Sequence, residues 1–260
     1  MTISSWRRSP AALALPFALA LALVLVAATA APRAGATAAP RAAGPSSGAA
    51  AEAAAVNISS ADLPSSVKWA SSPQSPNNKA ENAAGRTATA CLDRAGAVTK
   101  DPFGTSGMTG GPVLADVRSP QFYDKADSLT QLPAANSEVV VVQSSHDATE
   151  DLAALRRHSS LVCMAAQFRL DSEQSGSGNV TVDSSFESAP RHGEGSGGVH
   201  VHFVESGGLL PGKLYNDEYF YAEGRFEVAF SFLDLGSPFS SSWAEGAISK
   251  VMDRAAKKAG

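Results

Sequence analysis

The sequence predicts an α+β fold: an antiparallel β-sheet with helices packed on one face, closed by one disulfide. Three observations predict it. The second half carries four runs rich in Val, Phe and Tyr, separated by Gly-rich turns. Two central stretches and the C-terminus place apolar residues at helical spacing. The chain has two cysteines, Cys91 and Cys163.

The 260-residue chain opens on Trp6-Arg7-Arg8, an apolar run from Ala11 to Ala28, and the small residues Ala28-Thr29-Ala30-Ala31. A positive start, apolar middle and small-residue end are the parts of a signal peptide, expected over residues 1–31. The alternative is an uncleaved N-terminal anchor, since the run is near the lower limit for a spanning helix. Both readings put the rest of the chain outside the cytoplasm, secreted or tethered to the membrane. No other stretch is long and apolar enough to span.

Residues 32–56 are almost all Ala, Pro, Gly and Ser. Such a segment has too little apolar area to offset the entropy of ordering it, so a disordered linker is expected. Residues 57–260 have the length of one extracytoplasmic domain. With 21 Lys and Arg against 25 Asp and Glu, the formal net charge is −4. That balance gives no electrostatic footprint for nucleic acid. Arg254, Lys257 and Lys258 cluster near the C-terminus and suit a helix end facing its own dipole.

An exported chain with two cysteines is expected to join them, Cys91 to Cys163. Closing that loop stabilises a fold by roughly 4 kcal/mol in the chain-entropy picture.

The elements follow in order. Ser60-Ala61-Asp62-Leu63-Pro64 reads as a capped turn, and Thr87–Ala97 as a short helix bringing Cys91 inward. Residues 99–112 hold four glycines and two prolines and read as loop. Val113–Arg118 is a short strand. Glu138–Gln143, with four consecutive valines, is the clearest strand, and its unbroken apolar run suits burial on both faces. Ser144 and Ser145 cap a helix with Asp147 and Glu150 in its first turns and Ala148, Leu152 and Leu155 on one face. A second helix spans Leu161 to about Leu170. Strands follow at Val180–Phe186, Val199–Glu205, Lys213–Ala222 and Arg225–Leu233. In the last, Phe226, Val228, Phe230 and Phe232 alternate with Glu227, Ala229 and Ser231, a half-buried period of two. Ser242-Trp243-Ala244-Glu245 reads as a capping box opening a C-terminal helix with Trp243, Ala247, Ile248, Val251, Met252 and Ala255 on one side.

Ala61-Asp62-Leu63-Pro64, Cys91-Leu92, Ser119-Pro120-Gln121-Phe122, the valine strand, the helix leading to Cys163 and Ala222-Glu223-Gly224-Arg225 occur in that order. The arrangement over residues 58–258 resembles the actinobacterial extracytoplasmic domains similar to the sensor domain of PknH-type receptor kinases. The resemblance implies an α+β domain with a cleft for a small-molecule or cell-envelope ligand. The sequence shows no catalytic constellation, so a non-enzymatic binding or sensing module is expected. That family's sensor domain carries two disulfides, whereas this chain has cysteines for one. No kinase domain is present, so signalling would need a partner. No cofactor is implied, and no membrane contact beyond the N-terminal signal or anchor.

Several motifs imitate other chemistry. Gly107-Met108-Thr109-Gly110-Gly111-Pro112 and Gly104-Thr105-Ser106 echo the nucleophile loops of serine proteases. Met108 and Thr109 stand where Asp and Ser are needed, and every histidine lies after residue 145, against the chain order of those enzymes. Val199-His200-Val201-His202-Phe203-Val204-Glu205 places His200 and His202 on one face of a strand. Two imidazoles so placed suit one transition metal, with a third ligand from His192 or Glu194. This metal-binding reading is the alternative function. The spacing to Glu205 misses a cupin motif by one residue and puts Glu205 on the opposite face. Asp217 and Glu218, with Tyr215, Tyr219 and Tyr221, are candidates for a polar cleft, although Tyr favours strands for packing alone.

Overall fold

A computed structural model describes residues 47–73, 90–91, 93–94, 96–97, 113–127, 130–173, 179–192, 196–208 and 212–260. The chain divides between Ala39 and Pro40, and every described residue lies in the second part. The expected signal segment 1–31, the start of the linker, the 104–112 loop and Glu194 lie outside the described residues. No helix among the described residues is long and apolar enough to cross a membrane.

Helix α1 (Ser47–Val56) comes first, where the composition predicted disordered linker. Ala49, Ala53 and Val56 recur at helical spacing and are buried in the core. Alanine has the best helix propensity, and its short side chain lets the helix approach a sheet closely. The linker expectation is therefore corrected over residues 47–56: packing, rather than the segment's own apolar area, orders it.

The strands are β1 (Trp69–Ser72), β2 (Val113–Arg118), β3 (Gln121–Asp124), β4 (Ala134–Val142), β5 (Thr181–Glu187), β6 (Arg191–His192), β7 (Ser196–Gly197), β8 (Val199–Ser206), β9 (Leu214–Glu223) and β10 (Phe226–Leu235). Eight form one antiparallel sheet in the order β1-β3-β4-β10-β9-β8-β5, with β2 also on β4; β6 and β7 pair separately. Strand β4 is long enough to take β3 beside Ala134 and Ala135 and β2 beside Glu138–Val142. The corner between them is fastened where Ser119 N donates to Ser137 O (2.8 Å) and Ser137 N to Ser119 Oγ (2.9 Å). Gly224, at φ 55°, turns β9 into β10 in the left-handed region that glycine tolerates.

The other α-helices are α2 (Ser145–Leu155), α3 (His158–Ser172) and α4 (Ser241–Ala259), and a 3-10 turn, Lys125–Asp127, follows β3. The Ser144 side chain caps α2 through Asp147 N, and Asp147 reaches back to Ser144 N, a reciprocal box. The box expected at Ser242–Glu245 does not form. Helix α4 starts at Ser241 with Ser240 as N-cap and no side-chain cap bond, so Ser242 and Glu245 already lie within the helix.

The α+β class, the antiparallel sheet and the disulfide are as the sequence predicts. The helices, however, cover both faces of the sheet rather than one. On one face Phe226, Val228, Phe230 and Phe232 meet α1 and the Ala244, Ala247, Ile248, Val251, Met252 and Ala255 side of α4. On the other, Val199, Val201, Phe203 and Phe220 meet Leu152 and Leu155 of α2 and Leu161 and Met164 of α3, while Val140 and Val142 meet Ala148. The valine run of β4 is the cause. Its residues point alternately to opposite sides, and both sides need apolar cover. Glu227, expected on a solvated face, is accordingly buried.

Cys91 and Cys163 are joined, with Cα atoms 5.7 Å apart. Ala90, Cys91, Asp93 and Arg94 are helical, and the remainder of the helix expected over Thr87–Ala97 falls mostly outside the described residues.

Candidate functional site

Strand alternation brings His200 and His202 to the same face of β8, as expected. That strand is not an edge. It lies between β9 and β5, and its register sets His200 opposite Tyr219 and His202 opposite Asp217. Asp217 Oδ1 takes both imidazoles: His200 Nε2 is 2.9 Å away and His202 Nδ1 2.7 Å. An ionised carboxylate only accepts, so both nitrogens donate. The other two ring nitrogens, Nδ1 of His200 and Nε2 of His202, lie outside the Asp217 contact.

The cluster sits at the margin of the core. His200 and Asp217 are buried, and His202 is half-buried. The His200 ring stacks on Tyr219 with centroids 4.0 Å apart, and Tyr215 lies 5.8 Å from His202. Glu187 approaches His200 Nδ1 at 3.9 Å. Burial pushes the Asp217 carboxyl up, but the hydrogen bonds from His200 and then His202 outweigh it and hold the group below its ordinary range. Burial, reinforced by the charge on Asp217, pushes the Tyr219 phenol up.

Among the described residues, this geometry does not assemble the three-ligand metal site expected from the sequence. The two nitrogens that face each other are engaged by one carboxylate oxygen, and the other two lie on the far sides of the rings. His192 does not join them; its Nε2 lies 3.4 Å from Asp253 on α4. No group of three His, Cys, Asp or Glu among the described residues is arranged to hold a metal ion. Glu205 falls on the opposite face, as expected, where its carboxylate accepts from Ser172 Oγ. The polar cleft expected around Asp217 and the tyrosines is instead filled. Tyr219 and Tyr221 are core residues, and the Tyr221 hydroxyl donates to Pro190 O at 2.9 Å.

The cluster makes a pH-dependent contribution to stability. An acid whose folded pKa is depressed stabilises above the unfolded value and loses that contribution as pH falls through the folded one. Asp217→Asn is expected to lower stability by about 2 kcal/mol at neutral pH, the scale of lost charged hydrogen bonds. The deficit should shrink on acidification. Urea unfolding of both proteins at neutral and acid pH checks it, and an equal deficit at both would refute the assignment.

A second place had no signal beyond the turn motif. A groove of about 330 Å³ runs between Ala61–Ser65 and the start of α4, lined there by Ser242, Trp243, Gly246 and Lys250. Trp243 is held edge-on by Trp69 (6.4 Å) and Phe239 (6.0 Å). Trp69 Nε1 donates to Pro64 O at 2.9 Å, fixing the turn to the aromatic wall. Lys250 Nζ donates to Ala61 O (3.2 Å) and Asp62 O (3.0 Å), which leaves one ammonium hydrogen for solvent or a ligand. Gly246 has open space where a side chain would stand. An apolar wall, a cation on the rim and a rigid backbone suit a small molecule with an apolar body and an acidic group.

The Arg254 guanidinium sets the turn in place. Nη1 and Nη2 donate to the two Asp62 carboxylate oxygens at 2.7 and 2.8 Å, and Nη2 also reaches Val56 O and Asn57 O. The sequence assigned this arginine to its own helix end. It serves instead the C-terminus of α1, a position where a cation is favourable for the same dipole reason. Comparison with known proteins finds no family model, no curated protein and no solved structure that matches the chain.

Proposed function

We propose that the chain is an exported, non-enzymatic ligand-binding domain of the cell envelope, sensor-like in the manner of the PknH-type extracellular domains that its motifs resemble. The groove beside Trp243 takes the ligand. The observation that carries this reading is the groove itself: an aromatic wall, a lysine rim and a turn held by Arg254 and Asp62. Ala61-Asp62-Leu63-Pro64, one of the resembling motifs, lines it. The exported setting is supported by the N-terminal pattern and by the disulfide.

Gly246 supplies the test. A Cβ there meets nothing within 4 Å, and the residue lines the groove, so Gly246→Leu directs its side chain into that space. In a helix interior the change gains up to about 1 kcal/mol, so the variant should be at least as stable as the parent. The probes are short acidic peptides and sugar acids, and the readout is tryptophan emission. The parent is expected to bind one of these classes, Lys250→Ala to bind it about tenfold more weakly, and Gly246→Leu not to bind. Binding by Gly246→Leu at the parent's affinity places the ligand elsewhere and removes the reading.

A further inference from the structure

Strand β5 ends the eight-stranded sheet. Its seven residues, Thr181-Val182-Asp183-Ser184-Ser185-Phe186-Glu187, pair with β8 on one side. No described residue hydrogen-bonds its outer edge. Long unpaired edges are ordinarily blunted by charged side chains, proline or a bulge. Strand β5 has no proline, no lysine and no bulge; its only charges are Asp183 and Glu187, and its register against β8 is unbroken. Phe186, 36% exposed, is one of two large apolar side chains left at the surface among the described residues.

We propose that two copies of this chain pair antiparallel through β5, about a two-fold axis at Ser184, continuing the sheet from one copy into the other. The strand's own charges select this register. A two-fold axis perpendicular to the sheet keeps each residue on its own face, so the axis must fall on a residue. Centring on Asp183 sets that carboxylate against its own copy. Centring on Ser185 sets Asp183 against Glu187 twice. Like charges directly opposite destabilise a strand pair. Centring on Ser184 pairs all seven residues: Thr181 with Glu187, Val182 with Phe186, Asp183 with Ser185, and Ser184 with itself. No like charges then face each other.

The surface beside the strand fits the same register. Phe186 and Val182 point to the α3 side of the sheet, since they pair with Val201 and Glu205. A groove of about 310 Å³ opens there, lined by Ala165, Ala166 and Arg169 of α3 and by Val180, Thr181 and Val182. The partner's Phe186 stands opposite Val182, at that groove. The relation is reciprocal, so each copy offers one ring and receives one, as an isologous interface requires. This interface is independent of the groove beside Trp243.

Cysteine pairing tests it on the full chain. Residues directly opposite in an antiparallel pair have Cα atoms roughly 4.5–5.5 Å apart, within disulfide reach. Ser184→Cys is expected to give a disulfide-linked dimer on mild oxidation, and Asp183→Cys, two residues out of register with its copy, is not. Sedimentation should show a dimer for the parent that Phe186→Asp weakens about tenfold or more. Ser184→Cys linking no better than Asp183→Cys, or a parent that stays monomeric at about 0.1 mM, overturns the proposal.

Discussion

Replacing Arg254 by methionine is expected to cost the fold about 3–5 kcal/mol, the scale for removing one partner of a buried ion pair. The Asp62 side chain is almost wholly buried, and its carboxylate meets the guanidinium as a two-pronged fork. Ser59 adds two more donors, its N–H and its hydroxyl, each at 2.8 Å. Methionine keeps most of the side chain's apolar length and takes the charge away. The carboxylate then stays buried with neutral partners only. The pH dependence should change sign as well as size. Burial by itself pushes the Asp62 carboxyl up; the Arg254 bonds, then those from Ser59, bring it below its ordinary value. In the parent the depressed group stabilises above the unfolded value of about 4, and that contribution is lost as pH falls. In Arg254→Met burial dominates, the folded value rises, and the variant loses stability as pH increases through the weakly acidic range. A double variant, Arg254→Met with Asp62→Leu, should recover most of the loss, because apolar replacement of both partners removes the orphaned charge. Urea unfolding of the parent, Arg254→Met, Asp62→Leu and the double variant across acid and neutral pH checks this cycle. Additive losses would mean that the two residues do not interact.

The parts of the fold legible in the sequence are those set by neighbours within a few residues. The period of two in β10 showed which phenylalanines enter the core, and Ser144 with Asp147 announced the start of α2. What escaped depends on partners far along the chain. Ala49, Ala53 and Val56 look like linker until a sheet is placed beneath them. Arg254 and Asp62 are 192 positions apart, and no local pattern links them. The candidate site divides in the same way. Alternation along one strand put His200 and His202 together, but Asp217 joins them through the register of β8 against β9. The register shows only once the hairpin is formed, and it turns a pair of free ligands into a hydrogen-bonded cluster. The cover on both faces was partly visible. Four valines in a row on β4 already required apolar neighbours on two sides, and the second layer is what buries Glu227.

The disulfide carries the other large expected effect. It closes a loop of 72 residues that contains β2, β3, β4 and α2. In the chain-entropy picture such a link removes roughly 4 kcal/mol of freedom from the unfolded chain. The folded state should change little, since Cys163 is buried on α3 and a pair of small side chains can occupy the same place. The Cys91→Ala, Cys163→Ala variant is therefore expected to unfold at lower urea, and with a larger m-value, because its unfolded chain exposes more surface. Adding a thiol reductant to the parent should reproduce both changes, while the variant should not respond to it. The location of the link decides what loosens first. Strand β4 lies between β10 and the β2–β3 edge, so freeing Cys91 leaves the sheet's central ladder intact and lengthens only the chain leading into β2. Amide exchange should then rise around α3 and β2 before it rises in β10. Identical unfolding with and without reductant would show that the two sulfurs are not bonded in solution. It would also remove one of the two supports for an oxidising compartment, leaving the N-terminal pattern alone.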